Sequence, residues 1–567
     1  MPQTRPGILL TVLAAAAFLP FLGRRDIVIS HEARVVQTAR EMAASGWPWN
    51  ATKVDVPSVK LANLPDASKR LRLVPDPDAP PLHINPWLVP VLNGEIRLQK
   101  PPLPYWCSAI TFRIAGVEWS EGLSRLIPAL LGAICTLLVY DLAQRILGRR
   151  FALPAALVWV TSYFIPDEFR KVMADPYLAF YALLAVWAWI RAAIERSPSA
   201  IVVFYMAVGL GLLAKGPPLF IHLIFPIGLF HLLKRRGLPG PVWSHLIGIA
   251  LLVAIALPWP LYVYHHIPHA IDIWRFESIG EMADNVRNAK PLYYYPPLLL
   301  QISLPWTPLL LVAIGLPFWR ARRLTASRGT AAMADKEFSS QTASLSYARI
   351  KVRPAGRGRK RFRGARQVFP LLWYALVVIF FSCVKMKKAA YLLPAMPAQT
   401  LMIAQVMVLI AASLRRRRGF SRRKMDEILV FSCTLIAIGL IAFFTFARTP
   451  IDNARSPRLA CNFIRMALAN QPGVTTIPAH LPPEATVYLP LGLSFDPRAD
   501  TVLYLIDDPK DQAPTDLPAF AQRLPELNLA AVTPVPIPYA GSNPRYKLFR
   551  LTLAMGRSKA FAALTGN

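Results

Sequence analysis

Runs of nearly twenty apolar residues recur along the chain, broken by short polar or basic stretches. A run of that length crosses a hydrocarbon core of about 30 Å as a helix. In lipid every backbone polar group needs an internal partner, which leaves helices or a closed barrel. The pattern predicts about eleven spans, near 7–23, 122–146, 151–166, 175–193, 200–214, 216–233, 244–264, 294–318, 368–384, 389–413 and 428–448. The two around Lys215-Gly216-Pro217-Pro218 also read as one broken helix. Gly23-Arg24-Arg25 is a poor cleavage site, so the first run reads as an anchor rather than a signal peptide.

Two regions depart from this pattern. Residues 24–121 are largely polar, with apolar positions at helical spacing over 32–44, an amphipathic helix. From about residue 450 the apolar runs shorten. Ala485–Leu491 and Thr501–Ile506 read as strands, Pro518–Leu524 as a helical turn or two, and Tyr546–Leu551 as an alternating edge strand. The expected fold is an all-α polytopic membrane domain over 1–449, its first extracytoplasmic loop (24–121) carrying amphipathic helices. A small C-terminal extracytoplasmic α/β domain over 450–567 follows.

Composition agrees: 54% of residues are hydrophobic and 17% charged, against roughly 25% charged in soluble domains. The formal net charge of +32 raises nucleic-acid binding as a reading, but the basic runs interrupt spans rather than decorate one domain. Lys and Arg collect in cytoplasmic loops. Arg149-Arg150, Lys234-Arg235-Arg236, the basic loop 319–367 and Arg415–Arg418 therefore mark the cytoplasmic side, and nucleic acid is not an expected partner. The loop 319–367, rich in Arg, Ser and Gly, reads as disordered, serving inner-leaflet electrostatics. Cys107, Cys135, Cys383, Cys433 and Cys461 show no disulfide or metal-ligand spacing.

Charges at membrane level are costly and carry a functional prior. On the face opposite the basic loops, Glu32, Arg34, Lys100, Asp175, Lys215, Lys385, Lys387 and Lys388 gather at span ends. Lysine serves phosphate as a compact point charge, and several together stabilise a leaving phosphate. Each has a plainer reading. The 385–388 lysines snorkel, Lys100 meets a helix C-terminus, Asp175 caps a helix, and Glu32 pairs with Arg34. Their clustering on one face favours the functional reading.

Several motifs then occur in register. His31-Glu32-Ala33-Arg34 opens the amphipathic helix. Trp87-Leu88-Val89-Pro90-Val91-Leu92-Asn93-Gly94 leads into Gln99-Lys100-Pro101-Pro102 and Tyr105-Trp106. Arg125-Leu126-Ile127-Pro128, Ala174-Asp175-Pro176 and Leu213-Ala214-Lys215-Gly216-Pro217 follow, and Ser382-Cys383-Val384-Lys385-Met386-Lys387 precedes Tyr391-Leu392-Leu393-Pro394. This order resembles the C-type membrane glycosyltransferases that use polyprenyl-phosphate sugars, the aminoarabinose transferases and protein O-mannosyltransferases among them, over roughly residues 7–413.

The departures are specific. His31 stands where that family has aspartate, Gln99 where it has glutamate, and Arg97 where it has tyrosine. The family's glutamate has been associated with a metal in some members. Gln99 removes the carboxylate a divalent ion would prefer, so no metal ligand is assigned and no cofactor is certain. The family's later Glu-His-x-x-Arg-Phe pattern has its nearest counterpart in Glu277–Met282, which lacks the arginine. A Pro-rich insertion, Asn50–Asn85, splits the first-loop pattern and bears on acceptor choice.

The resemblance implies an inverting transfer from a polyprenyl-phosphate sugar to a lipid A, protein or glycan acceptor. It places the enzyme in the inner (plasma) membrane, its site facing the periplasm or exterior. Lys100, Lys385 and Lys387 would hold the donor phosphate, Arg34 and Tyr391 would contact substrate, and Glu32, Asp175 or His31 would act as general base. Two other classes stay open at this point. A transporter or flippase predicts charges mid-span and related halves, and a non-catalytic scaffold is suggested by His31 and Gln99.

Overall fold

In the computed structural model the described residues run from 5 to 553, except 64–70, 77, 235–236, 276–288, 317–356, 494–495, 497–498, 508–515, 525–526, 528 and 537–544. The expected loop 319–367 thus lies mostly outside them, as does Glu277–Met282. The chain is mostly helical: among the described residues six helices are long and apolar enough to cross a membrane, and four shorter apolar helices accompany them. It is a multi-pass membrane protein.

Helix α1 (Arg5–Phe18) leads to the amphipathic α2 (Ser30–Ala44), then α3 (Leu103–Ala115) and α4 (Glu121–Ile146). Ser120 caps α4 by accepting from the Leu123 N–H. A short α6 (Phe164–Phe169) follows α5 (Arg149–Thr161). The helices α7 (Ala174–Glu195), α8 (Pro198–Lys215), α9 (Pro218–Lys234), α10 (Val242–Ala256), α11 (Pro258–His266) and α12 (Ala270–Arg275) follow in the bundle. Arg357–Cys383, Met396–Arg418 and Arg422–Ala442 complete it. The predicted span 294–318 is broken, with a helix at Tyr295–Ile302, turns after it, and a second apolar helix at Thr307–Leu316.

One close approach between helices requires glycine. A Cβ on Gly132 of α4 would lie 2.7 Å from the Phe18 ring and 2.8 Å from Phe169, so only glycine lets α1 and α6 reach α4. Gly216, at φ +80, turns α8 into α9.

The insertion folds as two small sheets. Strand β1 (Val54–Val56) pairs antiparallel with β4 (Leu82–Ile84), and β2 (Val59–Asn63) with β3 (Leu71–Pro75). The motif stretch itself forms a hairpin of β5 (Val91–Leu92) and β6 (Glu95–Ile96). Its Asn93-Gly94 turn has both residues at positive φ, as this dipeptide favours in two-residue hairpins.

The tail holds a four-stranded sheet in the order β7 (Val474–Thr476), β8 (Thr501–Asp507), β10 (Tyr546–Leu553), β9 (Leu529–Val535). Two expectations are corrected here. Tyr546–Leu551 is a central strand between β8 and β9 rather than an edge. Ala485–Leu491 is no strand: Pro483–Thr486 is a helical turn, and Arg40 of α2 donates to the carbonyls of Val487 at 3.1 Å and Leu489 at 2.8 Å. A sheet partner would need those same carbonyls. The tail shares one apolar core with α2 and α3, including Val36, Phe112, Cys461, Tyr488 and Leu503.

A buried ion pair joins these parts. Glu32 (0% exposed) and Arg125 (1% exposed) meet through Nε–Oε1 at 3.2 Å and Nη2–Oε2 at 3.3 Å. Arg125 also donates to the carbonyls of Leu22, Arg25 and Asp26, while Glu32 accepts from the Val172 N–H at 3.0 Å. Removing one partner of such a pair leaves a buried charge, so Arg125→Leu should cost about 3–5 kcal/mol. It should lower the unfolding midpoint of the detergent-solubilised protein, and Glu32→Leu added to it should recover part of the loss.

Candidate functional site

The stretch 87–106 is fastened from several sides by tryptophans. Trp106 Nε1 donates to the Trp87 carbonyl at 2.7 Å, Trp259 Nε1 to that of Leu88 at 2.8 Å, and Trp274 Nε1 to that of Leu98 at 3.2 Å. Arg97 donates to the Tyr105 hydroxyl at 3.2 Å. These bonds set Gln99 and Lys100 on the wall of a cavity of about 330 Å³.

The other walls come from distant segments. Lys215 ends α8 and His222 lies on α9, while Trp259 comes from α11 and Trp274 from α12. Phe381, Met386 and Tyr391 close the far side. The Lys215 ammonium forms an ion pair with Asp175 at the start of α7 and lies 5.0 Å from the Tyr391 ring centroid. His222 is 2% exposed and stacks on Phe381 at 5.5 Å.

The 385–388 strap crosses beside this cavity. Its backbone is pinned by the Lys290 N–H, which donates to the Lys385 carbonyl at 3.0 Å, and by a bridge between Ala289 and Met386. Lys385 is exposed. Lys387 is buried and donates to the carbonyls of Lys290 and Val384, so its ammonium holds the strap itself. Lys388 instead donates to His31 Nε2 at 3.2 Å.

His31 stands at the N-terminus of α2, exposed by surface area yet with the surrounding chain packed close about its ring. That crowding, then the charges of Lys388 and Arg34, push its pKa down to about 4, with Asp175 opposing and Lys100 adding to the effect. Glu32, one residue on, faces the other way into the Arg125 pair. Burial pushes its carboxyl up, but Arg125, Arg25 and the Val172 N–H outweigh this and hold it below the usual range. The structure therefore gathers Lys100, Asp175, Tyr391, His31 and Arg34 in one neighbourhood, and separates Glu32 and Lys387 from it by their own partners.

Lys215, Lys388 and Gln99, which the motifs and the charge clustering mark without assigning a binding role, lie at or beside this cavity, and His222, which they do not mark, lines it. An ionisable side chain inside an apolar run is itself a signal, and His222 has that signal within α9. Among the described residues no group of three or more His, Cys, Asp or Glu side chains is placed to hold a metal ion.

A second cavity, of about 590 Å³, lies between α2, the insertion and the tail. Glu41 on its wall accepts from the Asn93 N–H at 2.8 Å and from Gln37 at 2.8 Å. Burial raises the Glu41 carboxyl despite these bonds.

Known proteins resemble this chain in sequence and in fold. The dolichyl-phosphate-mannose-protein mannosyltransferase family matches residues 99–262, a stretch holding Gln99, Lys100, Asp175, Lys215, His222 and Trp259. ArnT from Cupriavidus metallidurans bound to undecaprenyl phosphate superposes with a TM-score of 0.63 at 16% identity, covering 97% of this chain and 98% of that one. Its apo form superposes over 100% of both chains at 0.62. The chain has the fold of ArnT. A Pseudomonas fluorescens protein named undecaprenyl phosphate-alpha-4-amino-4-deoxy-L-arabinose arabinosyl transferase 1 is 27% identical over 379 residues, 64% of this chain and 56% of that one. An uncharacterised Aquifex aeolicus protein is 27% identical over 370 residues, 64% of this chain and 62% of that one. The chain thus spans less than two thirds of these curated relatives. Its resemblance to polyprenyl-phosphate sugar transferases rests on all three comparisons.

A histidine free of the fold titrates near 6.5, whereas His31 does so at about 4. The unfolded chain therefore binds more protons between those values, and this residue's contribution to stability falls as pH drops from about 6.5 toward 4. In thermal unfolding scans between pH 7 and 5, His31→Gln should flatten the loss of midpoint seen in the parent protein.

Proposed function

We propose that the protein is an inverting membrane glycosyltransferase. It moves a sugar from polyprenyl phosphate to an acceptor at the extracytoplasmic face of the inner membrane. The observation that carries this is the convergence of Lys100 and Lys215 on an apolar cavity at the ends of apolar helices. A lipid-linked phosphodiester needs both halves of that arrangement, cations for the phosphate and an apolar wall beside them. The solved relative's bound undecaprenyl phosphate and the curated relatives' names support the donor class. So does the tally of lysines on the side that topology should deplete of positive charge. Charges at helix ends rather than mid-span favour surface chemistry over a translocation path.

In this reading an acceptor hydroxyl attacks the anomeric carbon. The new C–O bond forms as the bond from that carbon to the phosphate oxygen breaks, and its electron pair leaves with the lipid phosphate. Lys100 and Lys215 stabilise the charge that develops there, with Lys388 and Lys385 at the rim. The acceptor proton passes to Asp175, whose carboxylate is held by Lys215 beside the cavity. His31, with Nε2 engaged by Lys388 and a low pKa, is the weaker base. Glu32 acts as a positioning residue through Arg125, and Arg34 and Tyr391 contact substrate. A phosphate acceptor would need no base, and Asp175 would then only orient Lys215. The acceptor is a lipid A, protein or glycan, and the insertion with the larger cavity beside it forms its approach.

Purified protein in lipid nanodiscs, given undecaprenyl-phosphate sugars labelled in the sugar, should consume at least one of them with release of undecaprenyl phosphate. Consumption of none from a panel of amino-pentosyl and hexosyl donors overturns the enzyme reading. Lys100→Ala should lower turnover on the order of 10²-fold. Unchanged turnover would remove the phosphate assignment while leaving the activity.

A further inference from the structure

Among the described residues, two polar atoms on the wall of the 330 Å³ cavity have no partner: Oε1 of Gln99 and Nδ1 of His222. Buried polar groups in folded proteins nearly always have one, and an orphan costs stability that a ligand can recover. His222 is 98% buried by area, lies in an otherwise apolar stretch of α9, and has its ring face covered by Phe381. Neither atom serves the phosphate chemistry above. An amide oxygen accepts hydrogen bonds and repels phosphate oxygens.

The remaining wall is aromatic. Trp259 and Trp274 lie 5.5 Å apart between ring centroids with their planes at 44°, and each indole N–H is engaged by a backbone carbonyl. Their faces are left for apolar contact, which suits the C–H face of a sugar ring. The charged side chains on the wall, Lys100 and Lys215, are both positive, and no Asp or Glu lines it among the described residues. Asp175, off this wall, is already paired with Lys215. Among the described residues, an ammonium group on the sugar would enter beside two lysines with no carboxylate on the wall to meet it. Hydroxyl groups would satisfy both orphan atoms at no such cost.

We propose that Gln99 and His222 hydrogen-bond hydroxyls of the transferred sugar, and that this sugar is an uncharged hydroxylated monosaccharide rather than a cationic amino sugar. The inference rests on the lipid-phosphate reading of the same cavity. It parts from the aminoarabinosyl donor in the relatives' name.

The test is competition against radiolabelled undecaprenyl phosphate at pH 7, in nanodiscs. The competitors are undecaprenyl phosphate, its glucosyl and mannosyl phosphodiesters, and undecaprenyl phosphate 4-amino-4-deoxy-L-arabinose. At least one hexosyl lipid should bind about tenfold tighter than either the bare lipid or the aminoarabinosyl lipid, the scale of one or two good hydrogen bonds. The ratio of hexosyl to bare-lipid affinity is measured within each variant, so that a general loss of folded protein cancels. It should fall in Gln99→Met and His222→Phe, and His222→Gln, which keeps a hydrogen-bonding group, should restore part of it. An aminoarabinosyl lipid that binds as tightly as the better hexosyl lipid, or a ratio unchanged in both variants, overturns the proposal. Should bare undecaprenyl phosphate bind but no glycosyl lipid improve on it, the sugar assignment falls while the phosphate reading stands. Failure of every lipid to bind removes both.

Discussion

A pair of opposite charges with almost no exposed surface, Glu32 and Arg125, joins the parts of the chain that make the site. Arg125 opens a membrane-length helix yet points its guanidinium at the loop before α2, taking three backbone carbonyls there. Glu32 answers from the first turn of α2 and also holds the segment before α7 through Val172. Desolvating two ions is costly, and only the complete set of partners offsets it. That requirement permits few placements of α2 against α4 and α7. His31 and Asp175 inherit their positions from it, one residue from Glu32 and three from Val172.

Around this pair the tail and the first loop form a second bond between distant parts of the chain. Arg40 of α2 grips carbonyls of Val487 and Leu489, Arg458 pairs with Asp26 at 2.8 Å, and Arg25 pairs with Asp452 at 2.9 Å. Among the described residues, the tail contributes none of those that line the cavity with Lys100 and Lys215. It braces the loop that carries α2, and its edge, with the insertion, walls the larger cavity beside it. A stiff brace matters because the lysines come from three separate segments. Their mutual repulsion would spread them if the backbone between were loose.

Much of this was legible from particular residues. Gly216 marked the break between two apolar runs and the period of 32–44 its amphipathic helix, since each depends on neighbours within a few positions. The errors fell where long-range contacts override local preference. Ala485–Leu491 has the composition of a strand, but Arg40 takes its carbonyls. Tyr546–Leu551 alternates like an edge strand, yet β9, starting at Leu529, covers its outer side. Lys385, Lys387 and Lys388 are equivalent in a motif, and only the strap's geometry sends one to solvent, one to backbone carbonyls and one to His31.

The sequence by itself determined the class of the molecule, because apolar run length and the placement of basic residues are one-dimensional properties that a membrane reads directly. It also marked the polar elements that meet the membrane, Lys100, Asp175 and Lys215 among them. Which of those charges converge, and which are consumed in holding the fold, was decided only by tertiary structure. Glu32 and Asp175 look alike as acids at the head of a helix. One ends up fully buried against Arg125 and the other beside a cavity, because the energy of a charge depends on what surrounds it in space rather than along the chain.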